Sequence, residues 1–187
     1  MARARGAVQL TVDDWLQAGY TVLAEEGFRA LKLDEVCRRL GVTKGSFYHH
    51  FPDISAFKTA LVTSWGGWRD QEHRQLDALA GEPPRARLIA MMALLTGPRH
   101  WTLERAMREW ARSDPRAAAS VRASDRQARR TVRQAFLDHG CDADTAARRA
   151  EWMFAMGIGA LHLSNSPRSG RAAVTERAAL VDFLLRP

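Results

Sequence analysis

Cysteine is nearly absent from this sequence: Cys37 and Cys141 stand far apart with no C-x-x-C spacing. That scarcity excludes a disulfide framework or a metal knuckle and leaves both thiols as small hydrophobic side chains. Long apolar runs are missing too, since the longest nearly apolar stretch, Trp152 to Leu163, is too short to span a bilayer. With no secretory pattern at the start of the chain, the expectation is a cytoplasmic protein with no membrane partner. Alternation of apolar and polar residues is lacking throughout, whereas spacings of three and four recur, so the chain reads as all-α. There is also no carboxylate-histidine motif with di-metal spacing, no glycine-rich phosphate loop and no nucleophile elbow. These absences argue against an enzyme and give no reason to expect a cofactor. Adjacent His49 and His50 cannot both point at one metal ion from a helix.

Lysine is scarce: there are three, Lys32, Lys44 and Lys58, all in the first third of the 187 residues, among 28 basic side chains. The net charge of +7 invites a nucleic-acid reading, but residues 1–60 hold eight Lys/Arg against seven Asp/Glu. A nearly neutral N-terminal third disfavours a DNA-compacting protein that binds through phosphates alone. Within it, the window Val36–Phe51 carries Arg38, Arg39 and Lys44 and no carboxylate.

Capping and breaker signals divide the chain into about nine helices. Thr11 caps a helix that ends at Gly27, and Leu33, Val36, Cys37 and Leu40 place apolar residues on one face of a second, stopped by Gly41. Thr43 is expected to cap a third, short helix ending near Phe51, because Pro52 disfavours helical geometry in the residue before it. Asp53 caps a fourth, expected from Ile54 to about Leu79 with a bend at Gly66-Gly67. Five more follow at roughly Arg85–Leu95, Pro98–Arg112, Pro115–His139, Asp142–Ser164 and Gly170–Leu185. With no long linker, the expected domain boundary falls at the helix junction near Pro52, dividing the chain into 1–52 and 53–187.

Two short helices joined by Leu40-Gly41-Val42 have the length and turn of a helix-turn-helix. At about 100° per residue Phe47 and Phe51 share the side of the third helix that packs on Val36 and Leu40. Gly45 and His49 then lie opposite, with Ser46 beside them, on the face a groove would receive. Gly45 lets the backbone approach base edges closely, while Lys44 and Tyr48 flank that face where phosphates run. Taken singly, each of these polar residues could be an ordinary solvated side chain; their combination carries the reading.

Residues 28–61, FRALKLDEVCRRLGVTKGSFYHHFPDISAFKTAL, resemble the DNA-binding domain of the tetracycline-repressor (TetR) family. The resemblance rests on Gly27-Phe28 after the first helix, Leu40-Gly41-Val42 at the turn and the aromatic-Tyr-x-His-Phe pattern of Phe47 to Phe51. It implies phosphate contacts from Thr43, Tyr48 and His50, and a groove-facing set of Lys44, Gly45, Ser46 and His49. One departure stands out. Relatives commonly place a phosphate-binding lysine where this chain has Ile54, and Lys58, one turn on, is the candidate replacement.

Downstream, Trp68, Met91, Trp101, Met107, Trp110 and Trp152 are bulky, adaptable side chains whose default role is core but which could line a pocket for an apolar or aromatic ligand. His73, His100 and His162 could supply polar contacts there. The last two helices suggest a homodimer, with Ala155, Met156, Gly159 and Ala160 permitting close helix approach and Leu180 and Leu184 adding apolar surface. The arginines at 122, 126, 129, 130 and 133 read as a solvated face. The expected function is a sequence-specific, homodimeric repressor released from a palindromic operator in double-stranded DNA by a small-molecule effector. The alternatives are a ligand-independent regulator or a nucleoid-type DNA-binding protein, and a redox sensor working through Cys37 or Cys141.

Overall fold

In a computed structural model the described residues are 10–96, 101–164, 166 and 169–186. Among them are nine α-helices and no strand. They are α1 (Val12–Glu26), α2 (Leu33–Leu40), α3 (Lys44–Tyr48), α4 (Ile54–Asp77), α5 (Pro84–Thr96), α6 (Trp101–Ala111), α7 (Pro115–Asp138), α8 (Ala143–Leu163) and α9 (Gly170–Leu185). Single 3-10 turns follow α1 and α4. His100 and the expected helix start at Pro98 lie outside the described residues.

The caps explain the boundaries. Thr11 and Asp14 form a reciprocal capping box at the start of α1, and Gly41 ends α2 with φ 66°, a left-handed conformation that favours glycine. Asp53, Asp114 and Asp142 each accept first-turn N–H bonds at the starts of α4, α7 and α8. Thr43 departs from expectation: its backbone is extended as a cap requires, but its hydroxyl makes no capping bond. The helix of α4 continues unbroken through Gly66-Gly67. Gly66 faces α7, where an added Cβ would sit 3.0 Å from Ser120 Oγ, so its missing side chain permits close packing of the two helices.

Two apolar clusters hold the fold. The first joins Trp15, Val22 and Leu23 of α1 to Val36, Phe47, Phe57, Leu61 and Trp65, and continues into Met107, Trp110 and Val121 of α6 and α7. Phe57 and Leu61, beyond Pro52, thus share a core with the residues that seat α3. The second joins Leu88 and Met92 of α5, Val132 and Phe136 of α7, Met153 of α8 and Val181 and Leu184 of α9. Helix α7 contributes to both, so it links the two ends of the molecule. Polar ties run between the same helices: Arg108 bridges Glu104 at 2.8 Å and Asp125 at 2.7 Å, and Arg85 grips Asp182 at 2.6 Å.

Candidate nucleic-acid interface

The short α3 cannot hold itself together, because five residues form barely one turn. Its stability comes from one side. Phe47 is fully buried and meets Trp15 edge-on at 5.4 Å and Phe57 at 5.6 Å, while Phe51 meets Phe57 at 5.0 Å. Edge-to-face pairs of this kind fix ring orientation as well as burying area. Trp15, which no sequence pattern marked for this role, is therefore the residue against which α3 is set. His50 also leans on its indole, with ring centroids 6.0 Å apart.

The opposite side of α3 is open. Thr43, Lys44, Gly45 and His49 are exposed, Ser46 and His50 are half-buried, and Tyr48 is 56% exposed. An alanine Cβ at position 45 would meet only Thr43 Oγ1 at 3.6 Å, an ordinary contact. Nothing inside the protein requires glycine there.

The charges around this face are arranged differently from what the window Val36–Phe51 implied. Each cation there has a carboxylate brought from outside it. Lys44 Nζ lies 2.6 Å from Asp34 Oδ1, and Arg38 binds Glu35. Arg39 is held by Glu25 and Glu26 at 2.5 Å each and by Glu35 at 3.2 Å, which fastens α2 to the end of α1. The hydrogen bond from Arg38 holds the Glu35 carboxyl down to about 2, and Asp34 raises the Lys44 ammonium above its usual range. Arg39 is thus a structural clamp, and Lys44 is the cation on the outer face. Cys37 is buried, and burial pushes its thiol up, the reverse of what a reactive thiolate needs.

The family model for bacterial regulatory proteins of the tetR family matches residues 16–61. Transcriptional regulator AcuR of Cereibacter sphaeroides is 33% identical over 95 residues, which are 49% of this chain and 43% of that protein. Over nearly full length the fold matches a TetR-family transcriptional regulator of Mesorhizobium loti, with TM-score 0.71, 17% identity and 98% of each chain covered. It also matches the ketosteroid transcriptional regulator KstR2 of Mycobacterium tuberculosis, with TM-score 0.68, 18% identity and 98% and 97% covered. A regulator from Saccharomonospora viridis in complex with choline matches with TM-score 0.69, 14% identity and 93% and 94% covered. Residues 16–61 thus resemble the bacterial regulatory proteins of the tetR family, and over nearly its whole length the chain shares the fold of these solved regulators.

Against the TetR pattern, Ile54 opens α4 and packs partly into the first core, while Lys58 lies half-buried one turn further along the same face. The expected ligand set is not gathered in one place. Met107 and Trp110 fill the first core, Met91 fills the second, and Trp152 is 53% exposed on α8. Size and apolarity cannot separate a pocket wall from a core, which is why these six read alike in sequence. Trp68 stacks on Tyr20 at 4.6 Å beside a groove of about 460 Å³ shared with Gln17, Gln71, Gln75 and Leu103. Trp101 borders a separate groove of about 350 Å³ with Arg105 and His162. Tyr20 donates its hydroxyl to the Leu61 carbonyl at 2.8 Å, and burial pushes its pKa up to about 12.

On α8, Trp152, Ala155, Met156, Gly159 and Leu163 form one stripe at helical spacing, with Trp152 and Leu163 53% and 87% exposed. Ala160 and Leu180 are half-buried at its edge, and a Cβ on Gly159 would meet nothing within 4 Å. Leu184 corrects an expectation: at 3% exposed it is spent inside the subunit's own second core. Among the described residues no helix is long and apolar enough to cross a membrane.

Proposed function

We propose that this chain is a homodimeric, sequence-specific DNA-binding transcriptional regulator that acts in the cytoplasm as a repressor at a palindromic operator. The outer face of α3 carries the reading: it is open, bears a glycine with no internal purpose, and stands on a rigid aromatic base. Lys44, Gly45, Ser46 and His49 face base edges, and Thr43, Tyr48 and His50 hold phosphates, with Lys58 as an added phosphate contact. Residues 1–52 form the reading unit and 53–187 the dimerisation and sensing unit. The apolar stripe on α8, joined by Phe183 of α9 at 63% exposed, supplies the surface a second subunit covers. Two α3 helices then enter successive major grooves about 34–36 Å apart.

Release by a small apolar or aromatic ligand is part of the proposal. The Tyr20–Trp68 groove offers an aromatic wall between α1 and α4, where a bound molecule would act on the setting of α3. The neighbour solved with choline and the one named as a ketosteroid regulator share this fold, so the fold alone does not name a ligand. A ligand-independent regulator is the second reading, favoured by the dispersal of Met91, Met107, Trp110 and Trp152 among core and surface.

Selection of bound sequences from random duplex DNA, followed by competition at fixed salt, tests the proposal. An enriched palindrome with a specificity ratio above roughly 10³ is expected. Binding without enrichment would replace the regulator with a nucleoid-type protein.

A further inference from the structure

The outer end of the helix-turn-helix carries an ion pair that stands out in solvent. Lys44, the first residue of α3, holds its Nζ 2.6 Å from Oδ1 of Asp34 in the first turn of α2, and both side chains are mostly exposed. Asp34 has no other hydrogen bond or ion pair among the described residues. The neighbouring cations are placed differently. Arg38 and Arg39 converge on Glu35, whose side chain is mostly covered, and Arg39 is held by Glu25 and Glu26 as well. Only the Lys44–Asp34 pair therefore shows an open cation and an open carboxylate side by side at the base of α3.

Charge chemistry separates this pair from a plain lysine. A free ammonium is drawn to any phosphate, and such contacts carry no sequence information. Asp34 opposes them, because its carboxylate meets like charge wherever the pair approaches the DNA backbone. Against base edges the pair has a definite pattern. The ammonium has three N–H donors and spends one on Asp34, which leaves two, while the carboxylate keeps Oδ2 as an acceptor. In the major groove a G·C pair shows two acceptors, guanine N7 and O6, next to one donor, the cytosine N4 amino group. An A·T pair interleaves them, with the adenine N6 donor between N7 and thymine O4. Guanine O6 and cytosine N4 are bonded to each other at about 3 Å, close to the spacing of Nζ and Oδ1. Two donors followed by an acceptor thus match G·C and mismatch A·T. Gly45, next in sequence, adds no side chain that would hold the pair off the base edges.

We propose that Asp34 is a specificity-determining residue that reads one G·C base pair in each half-site jointly with Lys44, an assignment that rests on α3 being the DNA-reading helix. Lys44 donates to guanine O6 and N7, and Asp34 accepts from the cytosine N4 amino group. Thymine in place of that cytosine would set O4, an acceptor, against the carboxylate. Asp34 also weakens binding to DNA of any other sequence, so it raises specificity both by attraction to the right pair and by repulsion from the wrong surface.

The test selects bound sequences from random duplex DNA with the full-length wild type, Asp34→Ala, Lys44→Gln and Glu82→Gln. Affinities are then measured for the selected operator, for a copy with that G·C pair changed to A·T, and for a scrambled duplex. Glu82 is an exposed carboxylate just before α5, so Glu82→Gln changes the net charge as Asp34→Ala does, but away from α3. The wild type is expected to fix one G·C pair at the same place in both half-sites and to discriminate against the changed copy at least about fivefold. Asp34→Ala and Lys44→Gln should each abolish the preference at that base pair, and Asp34→Ala should also bind the scrambled duplex more tightly. Glu82→Gln should keep the wild-type pattern. Because Asp34 and Lys44 are exposed, an unchanged melting temperature verifies that these variants fold. A palindrome that keeps its G·C pair in Asp34→Ala, or loses it equally in Glu82→Gln, overturns the assignment and leaves the regulator standing. Absence of any enriched palindrome with the wild type overturns the regulator and this assignment together.

Discussion

Lys44 Nζ lies 2.6 Å from Asp34 Oδ1, so the only lysine on the reading helix is held by a carboxylate of the helix before it. Both side chains are exposed, and a pair of that kind contributes little to stability in water. Its consequence falls on the proposed binding: DNA would compete with Asp34 for the ammonium, and Asp34 adds a negative charge beside the proposed groove-facing set. Asp34→Asn is expected to tighten binding to all duplex DNA several-fold at low salt while leaving the melting temperature nearly unchanged. The gain should shrink as salt rises, since exposed charges are screened over about 10 Å at 0.1 M. Fluorescence anisotropy at two ionic strengths reads this, and an unchanged affinity would remove Lys44 from the interface.

Gly45 offers a separation of folding from binding. With open space around its missing Cβ, Gly45→Ala should stabilise the protein by up to about 1 kcal/mol through helix propensity. The same methyl group would stand between the α3 backbone and a base edge, so affinity for the selected operator should fall. Tyr48→Phe should weaken selected and scrambled duplexes equally, as loss of a phosphate contact does, whereas His49→Ala should change their ratio. Thermal melts alongside competition binding measure all three. Equal losses for His49→Ala on both duplexes would mean that this side chain reads no base.

Much of this was legible because it is local. The capping box at Thr11, the left-handed Gly41 and the Asp53 cap are each decided within four residues, and the extent of α9 follows from Gly170 and the end of its apolar pattern. The anchor Phe47 was legible for the same reason, as a large apolar residue on one side of a short helix. What placed it was not: Trp15 lies thirty-two positions earlier, and only the folded chain brings the rings together. The same holds for Asp34 beside Lys44 and for Glu25 and Glu26 around Arg39. On α8, apolar residues run nearly all the way round, so periodicity could not distinguish Met153, buried in the subunit, from Trp152, which faces out.

That outward stripe yields a test of assembly. Gly159→Arg adds a long cation where the protomer has nothing within 4 Å, so the subunit should fold normally and fail to pair. Sedimentation at micromolar concentration should show a monomer, with unchanged helix content. Leu184→Ala should do the reverse, costing about 2–5 kcal/mol of stability while the folded fraction stays dimeric, because Leu184 sits in the second core. A dimeric Gly159→Arg would move the interface away from α8.

The buried His73 makes a last, independent demand on pH. Facing it are Arg69, Asp70, Glu72, Arg74 and Asp77 of α4 and Ser124, Arg126 and Arg130 of α7, and burial followed by Arg69 lowers its pKa below the ordinary 6.5. The unfolded chain therefore takes up a proton near pH 6.5 that the folded chain resists. Stability is then whole above that value and declines as pH falls below it. His162, lowered by burial, Arg108 and Arg105, adds a smaller slope of the same sign from its more exposed position. Paired carboxylates such as Glu35, held at about 2, stay ionised in the folded chain and add slope only at the acid end of this window, where the unfolded chain's carboxylates begin to take up protons. Melting temperatures from about pH 7.5 to about pH 5 should fall for the wild type and fall less for His73→Gln, whose amide does not titrate. Identical slopes would place the acid sensitivity outside the α4–α7 contact.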